Sequence, residues 1–509
     1  MAELLRIHVL EHKDVDGRDI KREKRLAVSP DHDEMVESES MSNDLSRETA
    51  CELAALIADK VVSPVEVLDA HLETIARVNP QLNAIVTLAA DAARASAEQA
   101  EAAVLRCETL GALHGLPVVI KDITPTAGIR TTFGSKLFKD YVPSEDAEAV
   151  RRLKAAGAIV LGKTNTPEFA AGANTFNDVF GVTRNPWNPA LSPSGSSGGS
   201  AVAVATGMVP LAQGTDFGCS IRMPASFNGI VGIRPTPGLT PNYPMPLAWD
   251  PGQVHGPLAR TAEDAALMLD ALVGFSRKSP ISVAPPWASA RAIVAEAHDV
   301  KGLRIAYVSD ISGIGVEPEI DDICRATALS LRDAGAAVEE ITFDISDGKE
   351  PYQAWRGLWM VGQQYDNLDR LEEFGVNLKG NVKAGLKVNP LDFAASEKKR
   401  MELFARFARF FEQYDLLITP QSPVKQFPVE MNFPTLINGR KLDNYTDWIA
   451  GSFLITLMSL PGGSVPAGKT SDGLPVGIQI VGPRFEEPLI LSAMKIVQQT
   501  HPIGWPPHA

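Results

Sequence analysis

The chain predicts an α/β fold: a single large domain with a central mixed, mostly parallel sheet flanked by helices. Three observations carry that expectation. Short apolar, β-branched runs alternate with longer segments of helical period along most of the chain. Residues 303–341 read as a complete strand–helix–strand unit that turns at Gly335. Of the 509 residues, 45% are hydrophobic, which is ample for a large buried core.

Composition narrows the function classes. A formal net charge of −14 disfavours a nucleic-acid partner, which calls for a basic surface. The four cysteines, Cys51, Cys107, Cys219 and Cys324, are scattered without a C-x-x-C pair. That pattern points to no disulfide framework, no structural metal and a reducing, cytoplasmic setting. The N-terminus lacks an apolar signal core, and no apolar run reaches the roughly 18 residues of a membrane span. The run ending at Leu460 is stopped by Pro461-Gly462-Gly463.

Taken in order, residues 1–44 are dense in charge and read as a disordered leader, with Met41 as an alternative start. A helix follows Thr49, with Leu53, Leu56 and Ile57 on its apolar face. Ser63-Pro64-Val65-Glu66 is a capping box with proline at the first helical position, and this helix should stop before Pro80. Strand is expected over residues 82–88 and helix over 89–105. Gly115 to Asp122 is a buried strand with Lys121 at its end. Helix 147–156 stops at Gly157, and a short strand follows over 158–161. A small apolar helix over 200–206 should pack close to the sheet, with Gly207 as its stop. Residues 230–233 are strand-like, and Thr261 opens a helix that ends at Gly274. A Pro/Ser-rich break separates this half from the rest. Residues 350–414 are helical and rich in Trp, Tyr and Phe, and residues 416–419 and 476–481 are further strands. An aromatic stripe at helical spacing is more often core than ligand box.

Gly157 to Thr164 fits the phosphate-loop pattern G-x-x-x-x-G-K-T. A phosphate loop needs its strand before the first glycine and a helix opening at the lysine. Here the intervening residues are strand-like and Pro167 follows closely, so no nucleotide site is expected.

The chemistry concentrates between Ser192 and Pro224. One Gly/Ser loop holds Ser194, Ser196, Ser197 and Ser200, and a second holds Thr215, Asp216, Phe217, Gly218, Cys219, Ser220 and Arg222. Serine is a weak nucleophile at neutral pH and needs a base. A lysine can serve if burial keeps it neutral, and Val118-Val119-Ile120 can supply that burial for Lys121. Glycine-rich loops let backbone N–H groups approach a substrate oxygen.

The segments GLPVVIKD, LGKTNTPEFA, TRNPWNP, SGSSGGSA, GTDFGCSIRMPAS and GLPVGIQIVGP resemble the amidase signature family of serine hydrolases. The resemblance runs from about Leu45 to near the C-terminus and is strongest between Gly115 and Thr236. It implies a Ser-cisSer-Lys triad, with Ser220 as nucleophile, Ser196 as the cis serine and Lys121 as base. It implies backbone N–H groups of Phe217, Gly218, Cys219 and Ser220 as an oxyanion hole. Ser197, Thr215, Asp216 and Arg222 are then loop supports, the last two as an ion pair. It implies hydrolysis of a small-molecule amide without metal or cofactor, with no nucleic acid or membrane partner, and it allows a homodimer. The amidase domain would span 45–509, with a signature core over about 115–260 and a variable substrate region over about 350–450. Two departures stand out. Cys219 replaces the family's usual glycine, so a side chain is expected to crowd the oxyanion hole, and Ser194 replaces a glycine.

Three rival readings remain. Gly195 to Gly199 also fits the nucleophile elbow G-x-S-x-G, but no strand precedes it. Its required histidine would be His255, His298, His501 or His508, all of which look like turn or surface positions. The A subunit of a glutamyl-tRNA amidotransferase is the closer alternative. Those subunits usually carry Met-Asp-Glu-Phe-Ala-Met-Gly where this chain has Thr166-Pro167-Glu168-Phe169-Ala170-Ala171-Gly172. A catalytically silent scaffold is the third, disfavoured by the complete Ser/Ser/Lys set. Small Ala170 and Ala171 would leave room for a bulky or aryl acyl group. Esters and carbamates are further candidate substrates.

Overall fold

The computed structural model describes residues 45–509 except Asp443. The expected leader and the alternative start at Met41 lie outside the described residues. Eleven strands form one sheet: β1 (Ile85–Leu88), β2 (Pro117–Lys121), β3 (Ile159–Thr164), β4 (Leu211–Asp216), β5 (Val231–Arg234), β6 (Val254–Ala259), β7 (Arg304–Tyr307), β8 (Ala337–Glu340), β9 (Leu416–Pro420), β10 (Gly462–Lys469) and β11 (Pro475–Val481). Their spatial order is β1-β3-β2-β4-β6-β5-β10-β11-β9-β7-β8.

The sheet is mixed, with a smaller parallel share than the sequence predicts. Parallel pairs lie towards the two flanks, β3-β2-β4 and β9-β7-β8, where helical crossovers connect the strands. The centre, from β4 through β6, β5, β10 and β11, is antiparallel. The short turn between Lys469 and Pro475 makes β10 and β11 a hairpin, and a hairpin can only pair antiparallel.

Both faces of the sheet are covered, and β2 shows how. Val118 and Ile120 pack into one apolar cluster, with Leu53, Ile57 and Leu267. Val119 packs into the cluster on the opposite face, with Leu68, Ala201 and Val202. Side chains alternate along a strand, so Lys121 shares the face of Val119. That face belongs to α1 (Pro64–Leu82), α2 (Gly198–Ala205) and α3 (Arg222–Asn228).

The capping box at Ser63 is present, with Ser63 Oγ accepting from Glu66 N–H and Glu66 returning the bond. The helix does not stop before Pro80; it continues to Leu82. Pro80 sits in the last turn, where its missing N–H leaves a single helix carbonyl without its donor. Asn79 ties that end down by accepting from the N–H groups of Ala84 and Ile85, and Asn83 turns the chain with φ 53°. The phosphate-loop look-alike is strand: β3 runs through Gly162, Lys163 and Thr164, and no helix opens at the lysine.

A third cluster joins Phe217 and Cys219, in the loop after β4, to α4 (Lys349–Gln363), α5 (Val376–Gly385), α6 (Pro390–Gln413) and α7 (Ala450–Leu457). Most of the aromatic stripe is core: Trp355, Trp359, Phe407 and Phe410 are buried, whereas Tyr365 and Phe393 face solvent. Among the described residues no helix is long and apolar enough to cross a membrane.

Helix α2 is buried along its whole length. Its approach depends on Gly199, where a Cβ would stand 2.5 Å from Asn165 N and 2.7 Å from the Ala84 carbonyl oxygen. Both obstacles are backbone. Gly199→Ala should therefore lower the unfolding free energy by about 1–3 kcal/mol, the usual cost of overpacking a filled core. Urea denaturation measures this; an unchanged midpoint would show that α2 has room to retreat.

Candidate active site

Strands β2 and β4 lie side by side and parallel, with Ile120 opposite Gln213. Lys121 and Thr215 therefore emerge at neighbouring strand ends. The loop before α2 passes over them, carrying a cis peptide between Gly195 and Ser196. Lys121 Nζ lies 2.6 Å from Ser196 Oγ and 3.0 Å from Thr215 Oγ1. All three residues are buried. The turn between β4 and α3 brings Ser220 to the same place, with its carbonyl oxygen accepting from Ser197 N–H at 3.1 Å.

Ser220 is the partly exposed member, and its Oγ forms no hydrogen bond with Ser196 or Lys121. The structure thus brings Lys121 into hydrogen-bond contact with Ser196, and Ser220 alongside by its backbone. Ser197 Oγ accepts from Thr215 N–H and donates to the Thr215 carbonyl, both at 3.3 Å, so it clamps β4 to the serine loop.

Desolvation lowers the Lys121 pKa to about 7, against the partial opposing pull of Asp216 and Cys219. Lys163 is equally buried and is also lowered to about 7 by desolvation, with Asp122 opposing. Their partners separate the two. Lys163 Nζ donates to the Thr124 carbonyl at 2.5 Å, Thr126 Oγ1 at 2.9 Å and Thr131 Oγ1 at 3.0 Å. Three acceptors suit an ammonium group. Lys121 Nζ meets two hydroxyls, each able to donate to the lone pair of a neutral amine. Lys121 is the lysine placed to exchange a proton.

Asp216 and Arg222 form a fully buried pair. Arg222 Nη2 donates to Asp216 Oδ1 at 3.0 Å and Nε to Oδ2 at 3.1 Å. The same guanidinium reaches the Gly218 and Ser452 carbonyls, Thr456 Oγ1 and Gln479 Oε1. Arg234 adds a second cation, donating from Nη1 to the Asp216 carbonyl. Burial alone would raise the Asp216 pKa, but Arg222 and Arg234 together hold it below the usual carboxylate value. The pair ties the turn that carries Ser220 to α7 and β11. Arg234, Thr456 and Gln479 do not stand out in the sequence; for Arg234, a charge closing an apolar strand is the signal that could have found it.

The backbone N–H groups of Gly218, Cys219 and Ser220 have no protein acceptor among the described residues. Cys219 does not take a left-handed backbone. Its Sγ is turned to the Gly195 carbonyl oxygen at 3.6 Å, and burial, with Asp216, pushes its pKa up to about 12. The expected crowding is thus directed at the serine loop. Ala171 is buried in the cluster that holds Phe217 and Cys219, while half-buried Ala170 has φ 58°. Ser194 bonds back to the Ala173 carbonyl.

His255 is neither a turn nor a surface residue. It is buried in β6, its Nδ1 lies 2.9 Å from Gln213 Nε2, and burial lowers its pKa to about 4. Gln213 Oε1 in turn accepts from the Lys121 N–H at 3.2 Å. The histidine supports the lysine strand and contacts no serine.

Asp216→Asn should cost about 3–5 kcal/mol, because it strands two buried guanidinium groups beside a neutral amide. Chemical denaturation tests this; a loss under about 1 kcal/mol would mean the cations find other partners.

Comparison with known proteins agrees with this geometry. Residues 66–491 match the family described as Amidase. The chain is 34% identical to an acylamidase of Rhodococcus erythropolis over 87% of this chain and 93% of that protein. It is 36% identical to the A subunit of the glutamyl-tRNA(Gln) amidotransferase of Acidothermus cellulolyticus, covering 87% of this chain and 92% of the other. Among solved structures, a bacterial aryl acylamidase of the amidase signature family superposes with a TM-score of 0.84 at 28% identity, over 90% of this chain and 96% of that one. With the match spanning nearly the whole described chain, and with Lys121, Ser196 and Ser220 gathered at one end of β2 and β4, this protein belongs to the amidase signature family.

Proposed function

We propose that the protein is an amidase that hydrolyses a carboxylic amide to the acid plus ammonia or an amine through an acyl-enzyme on Ser220. The observation that carries this reading is the buried amine of Lys121, without a carboxylate partner among the described residues, 2.6 Å from Ser196 Oγ and with its pKa lowered by desolvation to about 7. A neutral Lys121 takes the proton of Ser196, and Ser196 takes that of Ser220 as Ser220 Oγ attacks the substrate carbonyl. The Ser220–Ser196 contact closes by turning the Ser220 side chain, as catalytic hydrogen bonds often tighten only with substrate in place. The free N–H groups of Gly218, Cys219 and Ser220, with that of Phe217, stabilise the oxyanion. The relay then returns the proton to the leaving nitrogen, and water attacks the acyl-enzyme with the same groups acting as base.

The alternative is the A subunit of a glutamyl-tRNA amidotransferase. The stretch from Thr166 to Gly172 departs from the pattern usual in those subunits, and this supports a free-standing enzyme. Small Ala171, buried in the apolar cluster that also holds Phe217, supports an acyl group of some bulk, and aryl amides, esters and carbamates belong in the substrate screen.

Ser220→Ala should abolish turnover without changing the unfolding midpoint, and a fluorophosphonate should label Ser220. Mass spectrometry that places the adduct on Ser196, Ser197 or Cys219 would reassign the nucleophile.

The pH profile tests the base. Lys121 is protonated and inactive below its pKa, so kcat/KM should rise with pH through about 7 and level off on the alkaline side. Lys121→Ala should lose several orders of magnitude and lose this ionisation. Lys121→Arg should fail as well, because a guanidinium stays protonated. Near-normal amide turnover by Lys121→Ala, or an unchanged profile, would refute the relay.

A further inference from the structure

A cluster beside the nucleophile turn has hydrogen-bond donors to spare. Arg356, on α4, is 5% exposed, and its Cζ lies 5.7 Å from the centre of the Phe217 ring. Its Nε donates to Asn381 Oδ1 at 3.0 Å, Nη1 to Tyr352 Oη at 3.3 Å and Nη2 to Tyr445 Oη at 2.7 Å. A guanidinium carries five N–H groups, so these bonds leave two unused. Tyr445 Oη also accepts from Asn381 Nδ2 at 2.6 Å, which fills its acceptor capacity, and its O–H has no acceptor among the described residues. Tyr352 Oη is fully buried, accepts from Arg356 and donates to nothing among the described residues. No carboxylate pairs with Arg356 among the described residues. Buried charges are ordinarily paired and buried hydroxyls ordinarily find acceptors, so a site made of donors around one cation calls for an anion.

Its position fits the site already described. The Tyr352 ring stacks on Phe453 with centroids 3.9 Å apart, which fixes where its hydroxyl points. That hydroxyl lies 2.8 Å from where a Cβ on Gly218 would stand, so the donor cluster touches the turn that carries Ser220. A carboxylate supplies two oxygens and a single negative charge, matching a planar guanidinium flanked by two phenols.

We propose that Arg356, Tyr352 and Tyr445 bind a carboxylate carried by the acyl part of the substrate, so that the substrates are monoamides of dicarboxylic acids. This rests on the amidase reading above and names its substrate class.

The test compares kcat/KM for succinamate, glutaramate and adipamate with that for butyramide, valeramide and hexanamide. A charge-assisted bond of about 1.5–3 kcal/mol predicts that the acid exceeds its neutral partner by roughly 10- to 100-fold in at least one pair. Arg356→Met, and the double variant Tyr352→Phe with Tyr445→Phe that keeps both rings, should bring that ratio close to one. Separately, calorimetry on Ser220→Ala protein should show binding of succinate, glutarate or adipate that is lost when Arg356→Met is added. Neutral amides preferred in every pair, or a ratio unmoved in folded variants, would overturn the proposal even if amides are hydrolysed. Arg356-dependent binding of a diacid without hydrolysis of any amide would uphold the site and remove the amidase reading.

Discussion

The site depends on one constraint: an amine at the end of a central strand, kept dry and without a carboxylate partner among the described residues. Lys121 closes β2, whose residues are buried on both faces of the sheet. In water a lysine is almost entirely protonated at neutral pH and cannot act as a base. Desolvation is the only large influence acting to neutralise it, and Asp216 and Cys219 act in the opposite sense. The sheet must therefore be thick enough, and closed enough above β2, to exclude water. The close seating of α2 at Gly199 and the pairing of β2 with β3 and β4 provide that closure. Stability of the fold and basicity of Lys121 are in this sense one property.

The second requirement of the proposed mechanism is that the turn carrying Ser220 stay rigid with its N–H groups clear of any acceptor among the described residues. Such a turn is intrinsically unstable, because buried backbone donors are normally paired. Asp216 resolves the conflict from below. It accepts from Ile221 N–H and from Arg222, and Arg222 in turn grips the Gly218 carbonyl. The carbonyls of Gly218, Cys219 and Ser220 are thus satisfied while their N–H groups have no acceptor among the described residues. Cys219 adds a thiol contact to the Gly195 carbonyl, joining the two loops that carry the serines.

Much of this was legible in the sequence where local chemistry decides the outcome. The capping box at Ser63, the buried strand ending in Lys121 and a small apolar helix packed close to the sheet follow from residue type and spacing, although that helix opens at Gly198 and not at Ser200. Other features were not legible. Strand β10 reads GGSVPAGK, a glycine- and proline-rich stretch that no strand propensity selects, and it is held by partners on both sides. Pro80 falls inside a helix because its neighbour Asn79 ties down the exit. His255 lies in an ordinary-looking run, and only the pairing of β6 with β4 places it against Gln213. Arg234, Thr456 and Gln479 converge on Asp216 and Arg222 from distant parts of the chain, and sequence spacing carries no trace of that meeting.

The buried cations around the site differ by what compensates them, and this difference sorts their roles. Arg222 faces a carboxylate and several carbonyls, the arrangement of a structural brace. Lys163 is surrounded by a carbonyl and two threonine hydroxyls near Asp122, the arrangement of a held ammonium group. Among the described residues Lys121 Nζ meets two hydroxyls, one of them on the serine loop, the arrangement that the proposed proton relay requires. Arg356 meets an amide oxygen and two phenols and cannot lose its proton, so it can neither act as a base nor become neutral to suit its surroundings. A permanent charge in that position stays uncompensated by the described residues around it. In the proposed substrate complex a carboxylate from outside the chain would neutralise Arg356.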